Sequence, residues 1–179
     1  MIQAIRETDF TAYIETEANR IDTSVPSSKI RHLVKFINDL DEAVFYVYAA
    51  LETITNRYTK LEFDYSATPD VYTSVNLIPA GFFKYELYEV SWTGAVAVSA
   101  GNAPVTEDDV LPVGPTHGVV QGLVAIGILY LAEKAGSEEV QYTEYTPPAS
   151  TNYNNCNDRK RLLCSLLCNR KRNSFNSCL

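Results

Sequence analysis

The fold of this chain is decided by the stretch from Phe82 to Trp92, which reads FFKYELYEVSW. Aromatic and aliphatic residues alternate there with charged ones, which is typical of a β-strand that has one face in a core and one in water. The preceding Pro79-Ala80-Gly81 is a turn signal. The segment therefore predicts a long strand that is entered from a tight turn.

Shorter segments of the same type lie on both sides of this strand. Strands are predicted over residues 10–16, 29–37, 43–50, 57–65, 75–78, 94–100 and 140–145. Turn signals separate them, and no long segment has the 3.6-residue period of an amphipathic helix. The pattern predicts an all-β fold, an antiparallel β-sandwich with a barrel-like sheet as the alternative.

Residues 119–134 (VVQGLVAIGILYLAEK) are the one segment that is hydrophobic enough to be a helix. Gly122 and Gly127 lie inside it among β-branched neighbours, and glycine weakens a helix interior. In a strand, glycine often marks a bulge or a bend. The sequence favours a kinked strand, or two short strands, over a helix.

Charge divides the chain into an acidic body and a basic tail. Residues 1–153 carry 9 Lys and Arg against 21 Asp and Glu, a net charge of −12, whereas residues 154–179 carry 6 against 1, a net charge of +5. We predict a β-sandwich domain over 1–150, in which 1–55 forms an N-terminal arm plus the first strands, and a tail over 151–179. The acidic body would repel nucleic acid, so DNA or RNA is expected to bind, if at all, only through the tail.

Neither a secretory signal nor a membrane span is evident in the sequence. The N-terminus lacks a basic region followed by an apolar one, and no apolar run is long enough to cross a bilayer. We therefore expect synthesis in a cytoplasm and no membrane partner.

The tail combines two basic clusters with all four cysteines. It follows Thr146-Pro147-Pro148 and is expected to be coil or a short amphipathic helix. The basic clusters are Arg159, Lys160, Arg161 and Arg170, Lys171, Arg172, and the cysteines are Cys156, Cys164, Cys168 and Cys178. The clusters suit an acidic neighbouring subunit, packaged DNA or a membrane surface, or simply a solvated tail. The cysteine spacing favours free thiols over a cross-link and over zinc.

Residues that could carry catalysis are scattered through the sequence. His32 lies in a strand pattern, which favours a packed or exposed side chain, and His117 lies in a loop without triad partners in sequence. Glu107-Asp108-Asp109 lacks the ligand spacing of a calcium loop and is expected to be solvated surface. We predict a non-enzymatic protein with no catalytic residue, no cofactor and no metal site.

Several segments together resemble a family of small β-rich structural proteins from the particles of tailed bacteriophages. They are Arg57-Tyr58, the run PAGFFKYELYE over 79–89, the run GVVQGLV over 118–124, and YTEYTPPASTNY over 142–153. The run over 79–89 is the most distinctive, because it joins a turn to an alternating strand. The basic extension after Tyr153 departs from the family pattern.

The resemblance implies a multi-copy virion subunit, synthesised in the host bacterial cytoplasm. Its role would be capsid decoration or a place in the head-tail connector (neck) or fibre attachment. Expected partners are the major capsid or neck proteins and further copies of the chain, bound through β-edges, terminal arms and Tyr-rich loops. The residues assigned to partner binding are Tyr85, Tyr88, Trp92, Arg159, Lys160, Arg161, Arg170, Lys171 and Arg172, and the loop tyrosines are Tyr65, Tyr72, Tyr142 and Tyr145. The alternative is a glycan- or receptor-binding module for host attachment, built on a row of exposed aromatic side chains.

Overall fold

A computed structural model describes residues 1–136 of the chain. The all-β prediction is confirmed: nine strands and two single-turn 3₁₀ helices, Glu17–Asn19 and Ser27–Lys29, make up the described elements. The strands are β1 Ile2–Ile5, β2 Phe10–Ile14, β3 Ile30–Asn38, β4 Val44–Tyr48, β5 Leu51–Ile54, β6 Thr59–Tyr65, β7 Ser74–Val75, β8 Gly81–Ser91 and β9 Val119–Ala132. No helix within these residues is long and apolar enough to cross a membrane.

The strands form two sheets that enclose a common core. The larger has five strands in the order β1-β9-β8-β3-β4, and the smaller has the order β2-β6-β5 with β7 beside β6. Most pairs are antiparallel, as expected, but β1 runs parallel to β9, and β7 runs parallel to β6. The short connections from β1 to β2 and from β4 to β5 each pass from one sheet to the other.

Strand β8 is central to the larger sheet because it pairs along its length with both β3 and β9. Its side chains alternate between the core and the outer face, as the sequence predicts. Phe83, Tyr85 and Leu87 point into the core, whereas Lys84 and Glu86 lie on the outer face. Burying three such side chains removes a large apolar area from water, which fixes the register of the strand.

Strand β9 is a single kinked strand, so the helical alternative for residues 119–134 is wrong. Its pairing with β8 shifts register between Leu87 and Tyr88, and again between Glu89 and Val90. Gly122 lies in the second of these irregular regions with a φ of +148°, which a residue with a side chain rarely adopts. Gly127 leaves room for Tyr85: a Cβ at this position would lie 2.5 Å from the tyrosine Oη.

The core between the sheets is built from aliphatic and aromatic side chains of both. Phe36 of β3 contacts Phe63 of β6 with 5.8 Å between ring centroids, and Phe63 stacks on Phe10 of β2 at 4.8 Å. Such offset and edge contacts add about 0.5–1.5 kcal/mol per pair beyond the burial of area. These three rings therefore tie the two sheets together.

One end of the interior is polar, and its polar groups are paired. His32 of β3 is buried, and its Nδ1 lies 2.6 Å from Oε1 of Glu52 in β5, whose Oε2 accepts the His32 backbone N–H at 3.1 Å. Glu89 is also buried and accepts the backbone N–H groups of Ile21 and Asp22 at 3.0 and 2.7 Å. A buried carboxylate needs such partners, so these bonds fix β5 and the loop before β3.

Two features of the fold differ from the sequence prediction. The segment 94–100 forms no strand within the described chain. Its Val96 and Val98 instead pack on the outer face of the larger sheet, and the Gly94 N–H bonds the Pro115 carbonyl at 2.8 Å. Strands β1 and β5 were not predicted, and residues 1–55 contain β1 to β5, the first strands of both sheets. The predicted strand over 140–145 and the tail over 151–179 lie outside the described residues.

Candidate interaction surface

Within residues 1–136, the chain covers the outer face of the larger sheet at only one end. The chain between β8 and β9, residues 93–118, folds back over this end and packs on a second cluster of buried side chains. The cluster is formed by Leu33, Tyr48, Val90, Trp92 and Ala103. The Tyr48 hydroxyl donates a 2.8 Å hydrogen bond to the Pro104 carbonyl, so the covering loop is held by direct contact as well as by burial.

A charged cluster fixes the same loop at its centre. Glu107 of the loop accepts hydrogen bonds from the Lys35 ammonium and the Tyr46 hydroxyl, both on the outer face of the sheet. Burial alone would raise the pKa of Glu107, but these two hydrogen bonds outweigh it and hold the pKa below its usual value. The hydrogen bond to Glu107 raises the pKa of Lys35 above its ordinary value. Each partner therefore stabilises the charged form of the other.

The other end of this face is apolar, and no part of the described chain covers it. Five side chains of β1, β8 and β9 form what we call the bare patch, and they are Ile5, Phe82, Ile126, Ile128 and Tyr130. Their exposed fractions run from 39% for Tyr130 to 60% for Ile126. Phe82 and Tyr130 are cross-strand partners whose ring centroids lie 5.0 Å apart. Together the five residues expose roughly 400–500 Å², which is the ordinary size of the largest apolar patch on a monomer, and such patches are often functional.

A line of charged and hydroxyl groups borders the bare patch on β8. Lys84 pairs with Ile128 across the strands, and its ammonium bonds Glu86 at 2.5 Å. Glu86 also accepts the Tyr88 hydroxyl at 2.8 Å. Burial, together with this bond, raises the pKa of Tyr88 to about 12. The border thus holds one positive and one negative side chain next to an apolar surface.

Two of the residues assigned to partner binding lie in the interior, which corrects the sequence prediction. Trp92 is 0% exposed beneath the covering loop, and Tyr85 is 9% exposed in the core beside Gly127. A side chain without accessible area cannot contact a partner. Tyr88 is half-buried at the border of the bare patch. The other six assigned residues, Arg159, Lys160, Arg161, Arg170, Lys171 and Arg172, lie outside the described residues.

The acidic loop is also more structured than the sequence suggests. Glu107 was expected to be solvated, but its carboxylate lies against Lys35 and Tyr46, where their hydrogen bonds offset the cost of partial burial. Asp109 caps the same turn by accepting the backbone N–H groups of Val105 and Thr106 at 2.8 and 3.2 Å. Asp108 remains exposed. No group of His, Cys, Asp and Glu side chains within residues 1–136 is arranged to hold a metal ion.

The bare patch is the feature that sequence reasoning missed. Its signal was available in β9, where Ile126, Ile128 and Tyr130 alternate with the inward Leu129 and Leu131. A strand whose apolar side chains point to both faces of the sheet is usually covered on both faces. The structure leaves one of these two faces uncovered within the described chain.

Comparison with known proteins gives no relative for this chain. No protein-family model matches it, and neither a curated protein nor a solved structure matches it significantly.

Proposed function

We propose that the chain is a structural subunit of a bacteriophage virion that binds neighbouring capsid or neck subunits. The observation that supports this role best is the bare patch, because a contiguous apolar surface on a sheet face often marks a site where a protein binds another. The role requires no chemistry from the chain. It requires a rigid domain that presents a surface, and the two packed sheets provide one.

Two of the four segments that resemble phage structural proteins lie in the strands that build this surface. The run 79–89 comprises the turn before β8 and most of β8 itself, and the run 118–124 begins β9. These two strands contribute four of the five side chains of the bare patch. Part of the resemblance thus lies in the strands that carry the exposed surface.

The edges of the larger sheet offer a further means of contact. Strand β1 is an edge strand among the described residues, and a strand of a neighbour can pair with it there. The opposite edge strand, β4, is approached by the segment around β7, where the Tyr48 N–H bonds the Val71 carbonyl at 2.7 Å. Strand addition is therefore more accessible at β1, next to the bare patch.

The experiment is to ask whether the protein is part of the particle. Particles released from a culture that carries this gene are purified on a density gradient, and their peptides are quantified by mass spectrometry. The proposal expects peptides of this chain at a fixed ratio to the major capsid protein through the particle peak. Peptides in the lysate but none in the particles would contradict it.

A glycan-binding module for host attachment is the second candidate, and one observation favours it. Tyr13 of β2 and Tyr58, which directly precedes β6, are exposed with their ring centroids 5.4 Å apart, and exposed aromatic faces can stack on sugars. This candidate predicts that the isolated protein binds specific glycans and that Tyr13→Ala abolishes the binding. Binding that survives this substitution would remove the support that the tyrosine pair gives.

A further inference from the structure

We infer that a cleft between β3 and β5 binds a small molecule with one carboxylate and several hydroxyl groups, of the kind that a sugar acid carries. The cleft has a volume of about 310 Å³ and is lined by Ser27, Ser28, Arg31, Glu52, Thr53 and Ile54. Pockets that bind small molecules start at about 300 Å³. Such a site goes beyond the proposed assembly role, which needs no small-molecule ligand.

The cleft exists because two neighbouring strands part at this point. Strand β4 pairs with β3 only from Leu33 to Ile37, and the chain then crosses to the smaller sheet as β5. Residues 30–32 of β3 therefore have no strand beside them on that side, and β5 is an edge strand among the described residues. The Glu52 side chain is only 2% exposed although the residue as a whole is half-buried, so its accessible atoms are those of the β5 backbone.

Arg31 brings a guanidinium group to this open edge of β3. Its Nη1 donates a 2.7 Å hydrogen bond to the Ile30 carbonyl. That carbonyl lies on the β5 side of the strand, because alternate residues direct their backbone groups to the same side and the His32 N–H bonds Glu52 there. The guanidinium forms no ion pair within residues 1–136, so most of its N–H groups are available to an anion in the cleft.

Glu52 does not neutralise this cation, and it limits the charge that a ligand can carry. One of its carboxylate oxygens lies 2.6 Å from Nδ1 of His32, and the other accepts the His32 N–H at 3.1 Å. A carboxylate in the wall repels a doubly charged phosphate more than it repels a group with one negative charge. Because arginine holds a carboxylate through two parallel hydrogen bonds, a carboxylate is the group that suits Arg31 in this cleft.

Three hydroxyl side chains make the rest of the cleft polar. Ser27, Ser28 and Thr53 form no side-chain hydrogen bond within the described residues, so their hydroxyls are open to a ligand. Each hydroxyl can both donate and accept. Among the six lining residues only Ile54 is apolar. The lining therefore fits a ligand that is hydroxylated and has a small apolar face, as a sugar ring does.

Isothermal titration calorimetry of the full-length protein tests the class of ligand. The probes are D-glucuronate and D-galacturonate, with D-glucose as the sugar without a carboxylate and acetate as the carboxylate without a sugar. A reducing agent keeps the four cysteines as thiols. At least one sugar acid is expected to bind saturably and about 10-fold or more tightly than glucose and acetate, since both parts of the ligand are recognised. Acetate binding of equal affinity would reveal an adventitious anion site only and would overturn the inference, as would the absence of binding by both sugar acids.

Matched variants test the role of Arg31. Arg31→Gln is expected to lower the affinity for the sugar acid by about 10-fold to 100-fold, because it removes hydrogen bonds to a charged group. Arg57→Gln removes the same charge from an exposed arginine in the turn between β5 and β6, and its affinity should equal that of the wild type. Urea unfolding followed by Trp92 fluorescence shows whether each variant is folded. A folded Arg31→Gln variant that binds as the wild type does would contradict the site.

The position of the ligand on the wild-type protein gives a test that does not depend on any variant folding. In amide NMR spectra, the sugar acid is expected to shift the signals of Ser28, Arg31 and Thr53 most. Shifts centred instead on Tyr13 and Tyr58 would place the sugar on the exposed tyrosine pair and would overturn the assignment to the cleft.

The outcome remains distinguishable from that of the proposed function. A chain that binds no sugar acid yet is present in purified particles would overturn the cleft as a ligand site and leave the virion role standing. A chain that binds a sugar acid through Arg31 but is absent from particles would do the reverse.

Discussion

Substitution of Glu107 by glutamine is expected to loosen the loop that covers one end of the larger sheet. The change keeps the shape of the side chain but removes the charge that Lys35 and Tyr46 contact. Hydrogen bonds to charged groups contribute about 1.5–3 kcal/mol each. Glutamine can still accept from Tyr46, and Lys35 keeps Glu86 at 3.8 Å, so part of this energy is retained. We expect a loss of about 2 kcal/mol in the free energy of unfolding, or roughly 6 °C in Tm.

The protein provides both a control and a probe for this experiment. Asp108→Asn removes the same charge from the adjacent, exposed residue and is expected to change stability by less than about 0.5 kcal/mol. Trp92, the single tryptophan, is buried under the loop, so its fluorescence reports local opening as well as urea unfolding. If Glu107→Gln and Asp108→Asn unfold at the same urea concentration, the carboxylate does not hold the loop.

The same cluster predicts how stability depends on pH. The pKa of Glu107 lies below its ordinary value of 4.5, so its contribution is present above that pH and is lost as the pH falls through the folded-state value. The pKa of Lys35 lies above its ordinary value of 10.5, so its contribution is present below that pH and is lost as the pH rises through the folded-state value. In urea unfolding at a series of pH values, the contribution of this pair to the free energy of unfolding should be constant between about pH 5 and pH 10. In the Glu107→Gln variant, the fall in stability that Glu107 causes below about pH 5 should disappear.

Further predictions concern the core and the polar end of the sandwich. Gly127→Val places new atoms against Tyr85 and is expected to lower the free energy of unfolding in urea by about 1–3 kcal/mol. Adding Tyr85→Leu makes room for the valine and should recover much of this loss. A double variant no more stable than Gly127→Val alone would argue against the clash. His32→Leu removes the side-chain partner of the buried Glu52 carboxylate and is expected to cost about 3 kcal/mol in urea unfolding. Adding Glu52→Leu should restore part of the loss, whereas a strictly additive double variant would show that the two side chains are not coupled.

Much of the fold could be predicted from alternation because the inward and outward residues of several strands differ in polarity. In β6, Thr59, Leu61 and Phe63 are buried while Lys60 and Glu62 lie towards solvent, as the sequence suggests. In β9, Gly122 signalled the kink, since glycine tolerates the backbone of an irregular strand. The short strands β1 and β5 carry too few residues for a period to be recognised.

The candidate site was harder to predict because alternation does not reveal which face of a sheet is covered. Trp92 lies at the end of an alternating strand and looks like a surface aromatic, yet residues 93–118 fold over it. Ile126 and Ile128 look like core residues, yet nothing in the described chain covers them. Both errors arise from long-range packing, which depends on the path of a loop that has no periodic signal.

Photo-cross-linking in intact particles tests most directly whether the chain assembles through the bare patch. A photoreactive amino acid replaces Ile128 in the patch, and a matched variant carries it at the fully exposed Val113. Irradiation of purified particles is expected to link the chain at position 128 to a virion protein and to give little product at position 113. Particles that contain the chain but yield no cross-link at position 128 would show that the patch is not an assembly surface.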